Sequence, residues 1–254
     1  MKRRAWAVVG VLAAGAAAAP PARAEQTNFI GLAAAVRPRY EGADRYKGVP
    51  LPVINYEYGN FFISPRAGLP ALGLKWSPLP EVSAGVFVGM DFGRDESDSS
   101  RLRGMGDIDF HAAYGAYAEW TPGRFRLGAG YRQAAKSGYG GVLELRTSYQ
   151  LLRADRDTFT VGLSTEWAND DSMQTWFGVT SGQAARSGGQ LRPYEASAGF
   201  KNAAVFATWK HRFDNRWSLI TTAGVKTLLG DARDSPIVER ETALFGGIGV
   251  VYAF

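Results

Sequence analysis

From residue 82 onward apolar residues return at every second position, the period of a strand whose two faces meet different surroundings. Val82, Ala84, Val86, Val88, Met90 and Phe92 share one face, while Ser83, Gly85, Gly89 and Asp91 lie on the other with Phe87. Ile108, Phe110, Ala112, Tyr114, Ala116, Ala118 and Trp120 oppose Asp107, Asp109, His111, Gly115 and Glu119. The same beat runs through 125–132, 143–151, 159–167, 205–213 and 217–229. Across these seven segments no charged side chain falls on the apolar parity. The polar parity carries six acids (Asp91, Asp107, Asp109, Glu119, Glu144, Glu166) and six bases (Arg126, Arg132, Arg146, Lys210, Arg212, Lys226).

A soluble β-sandwich also alternates, and three features favour a membrane barrel instead. Several segments are about twice as long as the roughly 5–6 residues of a globular strand. Aromatics gather toward segment ends, at Phe92, Trp120, Phe125, Tyr149, Phe159, Trp167, Phe213 and Trp217, where the girdles of a barrel meet the two membrane interfaces. Connections alternate between short (121–124, 152–157, 214–216) and long (93–106, 134–140, 168–193, 230–241), the pattern of short periplasmic turns and longer external loops. Weaker alternation predicts strands near 27–37, 52–58, 61–66 and 71–76, with Gly59-Asn60 as a tight hairpin between the second and third. A long segment, 194–213, changes phase near 201–204, which predicts a bulge. With the closing strand that ends the chain, the expectation is an all-β, transmembrane, antiparallel up-and-down barrel of about 12 strands. The alternating Ile248, Val250, Tyr252 and terminal Phe254 resemble the C-terminal signal that the outer-membrane barrel-assembly machinery reads.

Composition first suggests something else. The 254 residues include 29 Lys and Arg against 24 Asp and Glu, with a pI near 9.4, a balance that invites nucleic acid. Much of that excess sits in residues 1–24, which have the three parts of a cleaved signal peptide. Lys2, Arg3 and Arg4 precede an apolar run over 5–19, and Ala22-Arg23-Ala24 supplies the small-x-small cleavage site before Glu25. Pro20-Pro21 ends the run short of the roughly 20 residues a spanning helix needs. Removing the segment leaves 25 basic residues against 24 acidic, and the nucleic-acid reading falls away. The expected organisation is therefore a signal peptide over 1–24 and an outer-membrane barrel over 25–254. The chain has no cysteine, which excludes thiolate metal sites, disulfides and cysteine nucleophiles.

Few residues point to chemistry. The two histidines are His111 on the polar parity and His211 on the apolar one. A serine hydrolase needs a base and an orienting acid beside its serine, and His111 with Ser148 or Ser164 and Glu119 is the one conceivable set. Asp107-x-Asp109 could hold Ca²⁺, but ion pairing with Arg126 and Arg132 on the next strand is the preferred reading. Gly128-x-Gly130 lacks the following helix of a phosphate loop. No cofactor or metal is assigned. The balanced inward charges should pair across strands, because isolated charges in a narrow, partly dry space are costly. A twelve-stranded barrel is narrower than a 16–18-stranded porin, so a small or occluded channel is expected. The long polar connection over 168–193 would fold inward or form an external contact surface.

Several loop segments have no general chemical meaning: Arg37-Pro38-Arg39-Tyr40-Glu41-Gly42, Pro50-Leu51-Pro52, and Gly104-Met105-Gly106-Asp107-Ile108-Asp109. Ser172-Met173-Gln174-Thr175-Trp176-Phe177-Gly178-Val179-Thr180 and Leu229-Gly230-Asp231-Ala232-Arg233-Asp234-Ser235-Pro236-Ile237-Val238 complete the set. Falling in this order over nearly the whole of 25–254, they resemble the MipA/OmpV family of outer-membrane proteins. The resemblance implies an outer-membrane barrel of a Gram-negative cell, in contact with lipid. Some members are described as scaffolds joining a murein lytic transglycosylase to a penicillin-binding synthase, others as adhesins or permeability factors, and the family has no catalytic motif to carry over. The expected function is a non-enzymatic interaction platform for murein synthesis. A narrow channel for small solutes or cationic compounds is the alternative, and a lipid-modifying enzyme a third reading.

Overall fold

Each strand of this chain hydrogen-bonds to its neighbours in sequence, and the last returns to the first. The computed structural model describes residues 28–254, so the signal peptide expected over 1–24 lies outside the described residues. The strands are β1 (Phe29–Pro38), β2 (Tyr46–Tyr58), β3 (Phe61–Ile63), β4 (Ala71–Leu79), β5 (Val82–Asp91) and β6 (His111–Trp120). They continue as β7 (Phe125–Ala134), β8 (Gly141–Arg153), β9 (Asp157–Ala168), β10 (Gly199–Arg212), β11 (Trp217–Leu228) and β12 (Thr242–Ala253). All pairs are antiparallel, and β1 closes on β12 from Phe29↔Ala253 to Val36↔Gly246. Twelve strands put both described ends of the chain and every short turn at one end of the barrel, the turn end. The long connections gather at the other, the loop end. Among the described residues no helix is long and apolar enough to cross a membrane.

The alternation read from the sequence separates two surfaces. Leu32, Trp76 and Leu244, on the outward parity, are each about two-thirds exposed, and Val86, Val88, Met90, Leu163 and Ile248 are exposed with them. Such a continuous apolar belt is what a membrane-spanning barrel shows to lipid. The inward parity is buried without being uniformly apolar. Small residues let large inward ones lie flat over the neighbouring strand: a Cβ at Gly162 would lie 2.2 Å from Cζ of Phe206. The expected bulge in β10 lies between Phe200 and Asn202, and β8 has another between Gln150 and Leu152.

Three details differ from the sequence expectation. β2 begins at Tyr46 rather than 52. β6 begins at His111, so Asp107 and Asp109 lie in the loop before it, where the chain makes only an isolated bridge between Arg94 and Ile108. β3 ends at Ile63 instead of reaching 66. As a result, β2 from Tyr46 to Asn55 is paired on one edge only, with β1. Pro50 and Pro52, two residues apart, remove donors from the same edge of β2. An unpaired edge is the place in a sheet where a missing N–H costs no ladder bond.

Gly162→Ala is expected to displace Phe206 and to lower the stability of the barrel by about 1–3 kcal/mol, the usual cost of overpacking. The midpoint of urea unfolding in detergent, followed by the shift between folded and unfolded gel bands, checks this.

Candidate functional site: the braced lumen and its cap

Beyond Ile63 the chain leaves the wall and makes a tight hairpin. Ser64 N–H donates to Ala71 O at 3.0 Å, and Arg66 and Leu69 exchange backbone bonds at 2.9 Å. The two turn residues have positive φ, +46° at Ala67 and +76° at Gly68, as a type I′ turn demands. The hairpin bends inward and meets the wall at β7: the missing side chain of Gly130 leaves room for Ala67, and Arg132 Nη1 donates to Ala67 O at 2.6 Å. The Arg66 guanidinium lies 4.7 Å from the ring centre of Phe62 and 4.5 Å from that of Tyr117, both close enough for cation–π attraction. Phe62, Ala67, Ala71, Phe87 and Tyr117 form one buried cluster around it.

From this plug an ion-pair chain crosses the lumen. Arg132 Nη1 reaches Glu166 Oε1 at 3.0 Å. Glu166 Oε2 accepts from Lys201 Nζ at 3.1 Å and from Asn202 Nδ2 at 2.7 Å. Lys201 Nζ also reaches Glu41 Oε2 at 3.0 Å, and Lys226 Nζ reaches Glu41 Oε1 at 3.3 Å. Lys201, only 5% exposed, lies within the bulge of β10, which buries it together with its neighbour Asn202. Glu41, in the 39–45 loop, would be pushed up by burial, but the ammonium groups of Lys201 and Lys226 hold its carboxyl below the ordinary range. Nearer the turn end, Arg146 stacks 4.5 Å from the ring centre of Phe206, and the Thr208 and Thr222 hydroxyls meet at 3.0 Å.

The loop end is closed by the long connections, which pack a core of their own. The 169–198 connection carries α1 (Asp170–Phe177) and α2 (Ser181–Arg186), and α3 (Gly230–Arg233) opens the last long loop. Asn169 caps α1 by accepting from Ser172 N–H at 3.1 Å, and Thr180 with Gln183 forms a capping box at α2. Tyr40, Ala43, Leu102, Met105, Val179, Ala184, Leu191 and Ile237 are buried together, as are Val142, Ala168, Met173, Phe177, Ala196, Leu228 and Ala232.

Most of the loop residues that carried the family resemblance are knots of this cap. Tyr40 Oη donates to Ile237 O at 2.7 Å and reaches Glu239 Oε2 at 2.9 Å. Burial and that carboxylate push its phenol well above the ordinary value. Gly42, at φ +97°, accepts Glu239 and Arg240 N–H through its carbonyl. Gly106 N–H donates to Glu96 Oε2 at 2.9 Å, and Asp107 Oδ1 accepts Glu96 N–H at 2.7 Å. Gly178 N–H closes α1 on Gln174 O, where a side chain would strike Gln174. Ser235 Oγ donates to Phe177 O, Pro236 O accepts from Arg101 Nε at 2.8 Å, and Asp231 Oδ2 accepts Ser197 N–H at 2.8 Å.

Of the twelve charges on the polar parity, Arg132, Glu166 and Lys226 belong to the chain of ion pairs, and Glu144 faces Arg146 at 3.9 Å. Asp91 ends β5 and accepts Gly93 N–H at 3.0 Å. Glu119, Arg126, Lys210 and Arg212 lie toward the turn end. Asp107 and Asp109 depart from the expected inward face: both are exposed in the loop before β6, outside the lumen. Asp109 pairs with Lys136 rather than with Arg126 or Arg132. The two aspartates therefore do not converge on a cation. His111 Nδ1 lies 2.9 Å from Asp109 O and its ring packs edge-on against Tyr139, while Glu119 is near the far end of the same strand, so the His–Ser–acid set is not assembled. His211 Nδ1 lies 2.9 Å from Asp157 Oδ1. Glu41, Lys201 and Arg66 escape a reading by parity because two sit in loops and one in a bulge. The phase change near 201–204 was the one local signal.

Glu166→Gln leaves Arg132 and Lys201 without their shared counter-ion and is expected to cost about 3 kcal/mol, read as a lower denaturation midpoint. Because the folded Glu41 carboxyl titrates below its unfolded value, the stability it contributes is present at neutral pH. That contribution is lost as pH falls through the depressed value. Glu41→Gln should flatten the acid limb of a stability–pH curve below the ordinary carboxylate range.

The family model described as "MltA-interacting protein MipA" matches residues 30–254. The MltA-interacting proteins of Escherichia coli (strain K12) and Shigella flexneri are each 24% identical over 221 residues, covering 81% of this chain and 81% of theirs. Among solved structures the KdgM porin superposes with a TM-score of 0.47 at 11% identity, covering 89% of this chain and 99% of the porin. A bacterial polysaccharide outer membrane secretin gives 0.45 at 10% identity, covering 91% of this chain and all of that one. With the family model spanning the whole barrel, the chain belongs to the MltA-interacting protein MipA family.

Proposed function

We propose that this chain is an exported, non-enzymatic outer-membrane barrel that serves as an interaction platform for the murein-synthesis machinery. The braced lumen carries this reading: the barrel spends its inward charges on one another and on its own hairpin, and its loops on a cap. A conducting pore needs a continuous wet path with weakly held charges. Here Arg132, Glu166, Lys201, Glu41 and Lys226 form a chain of ion pairs from β7 to β11 by way of the 39–45 loop, and Arg66 is stacked over two rings. The separation of His111 from Glu119 supports a role without catalysis. The relatives named for their interaction with MltA support that murein lytic transglycosylase as one partner; a penicillin-binding synthase as the other follows from the family resemblance alone. In this reading residues 1–24 are the cleaved export signal, the barrel-assembly machinery reads the chain's alternating end, and the turn end faces the periplasm.

Refolded protein in planar bilayers is expected to be electrically silent. Affinity purification from outer membranes should retain the transglycosylase. Reproducible steps from the intact protein, with no transglycosylase retained, would replace the platform with a narrow channel for small solutes or cationic compounds.

A further inference from the structure

The lumen near the turn end holds a cluster that neither the ion-pair chain nor the cap uses. Cross-strand register places Arg153, Thr158 and Lys210 side by side on β8, β9 and β10. One step deeper the same strands align Gln150, Thr160 and Thr208. Arg212 stands nearest the rim, opposite Ser218 of β11. These residues share the inward face, since Gly162 on the same parity of β9 abuts Phe206 inside the barrel. Arg153 is on that face because of the bulge between Gln150 and Leu152. Simple alternation from Gln150 would have turned it toward lipid. Bulges recur where a side chain has to be re-aimed.

From Gln150, Thr160 and Thr208 to the rim, the inward face of β8, β9 and β10 has three cations and no carboxylate; the inward acids of these strands, Glu144 and Glu166, lie deeper in the lumen. Asp157 serves the outward face, where Oδ1 accepts from Trp209 Nε1 and meets His211 Nδ1, both at 2.9 Å. Asp214 is held by the N–H groups of Arg216 and Trp217 at 2.7 and 2.8 Å. Asp155, at the tip of the turn, is exposed and offers its backbone carbonyl to Arg212. Among the described residues no ion pair includes Arg153, Lys210 or Arg212. Gln150, Thr208 and Ser218 are buried while Arg153 and Arg212 are exposed, so the group runs from a buried polar floor to an exposed basic rim at the turn end. Phe206 lies above it, and above Phe206 the braced lumen.

We propose that this cluster is an anion site that takes the free carboxylates of murein stem peptides. The inference rests on the reading of the turn end as periplasmic. Three cations with hydroxyl and amide donors beneath them match a carboxylate terminus. Phospholipid headgroups lie outside the wall, on the side where Arg216 Nη1 meets the outward Tyr252 Oη at 2.9 Å. A folded protein surface cannot enter the mouth of a twelve-stranded barrel, whereas a thin peptide end can.

The test uses the full-length protein in detergent, with soluble murein fragments released from sacculi as the probe. Titration calorimetry should show binding that weakens with added salt and disappears when the fragment carboxylates are amidated. The combined Arg153→Gln, Lys210→Gln and Arg212→Gln variant should lose on the order of tenfold or more in affinity. Its gel shift between folded and unfolded bands should be unchanged. Equal affinity in this variant and the parent, or no binding by the parent, overturns the site. So does displacement of the fragments by phosphatidylglycerol vesicles that the variant no longer binds, which would make it a lipid site. If the variant loses the transglycosylase but keeps the fragments, the cluster belongs to a protein partner and the inference fails. Fragment binding by a parent that retains no transglycosylase keeps the site and removes the platform instead.

Discussion

The constraint on which everything else depends is closure of the sheet. A strand facing hydrocarbon has no water to satisfy its backbone, so each N–H and C=O in the belt needs a partner on a neighbouring strand. Pairing of β1 with β12 meets that demand around the ring except along one edge of β2. It also divides every strand into a face that meets lipid and a face that does not. The outward face then needs only to be apolar, which the exposed leucines, valines and tryptophans provide. The inward face has to solve a harder problem, because a narrow lumen offers little water to its charges.

The protein solves it by self-neutralisation. Glu166 accepts from Arg132, Lys201 and Asn202 at once, and Glu41 descends from the loop end to share Lys201 and to hold Lys226. The shortened β3 is part of the same solution. Once the chain leaves the wall after Ile63, its hairpin fills lumen that side chains alone would leave open, and the carbonyl of Ala67 becomes a partner for Arg132. The cost falls at the unpaired edge of β2. There Pro50 and Pro52 make the edge a poor template for another strand, which protects against edge-to-edge association.

The cap follows a different logic. Its loops bury Tyr40, Leu102, Met173, Phe177 and Ile237 almost completely, so they act as a small helical and irregular domain seated on the barrel. The residues by which this chain resembles its family are concentrated there, at turns that need positive φ, at helix ends and at side chains bonded to backbone. Such positions are recognisable in sequence because glycine, proline, aspartate and serine are the residues turns and caps require. They report on how the loops are held and say nothing of a reaction.

Strand number, the assignment of faces, the short turns and the bulge in β10 were legible in the residues alone, because alternation and turn chemistry are local properties of a chain. The inward direction of Arg132, Glu144, Arg146, Glu166 and Lys226 could be read for the same reason. Their partners could not. Glu41 and Lys201 are 160 residues apart, and they meet only because the closed barrel brings the loop after β1 over the bulge in β10. The inward fold of the 64–70 hairpin was equally hidden, since an alternating segment looks the same whether it continues up a wall or bends into a lumen. Asp107 and Asp109 show the converse: they keep the strand period in a loop, where period has no face to define. The sequence by itself determined a barrel and the side of the wall on which most strand residues lie; Arg153, turned inward by the bulge in β8, is an exception. The tertiary structure decided which charges meet and whether the lumen is open, because pairing across a closed barrel depends on register and reach between distant strands.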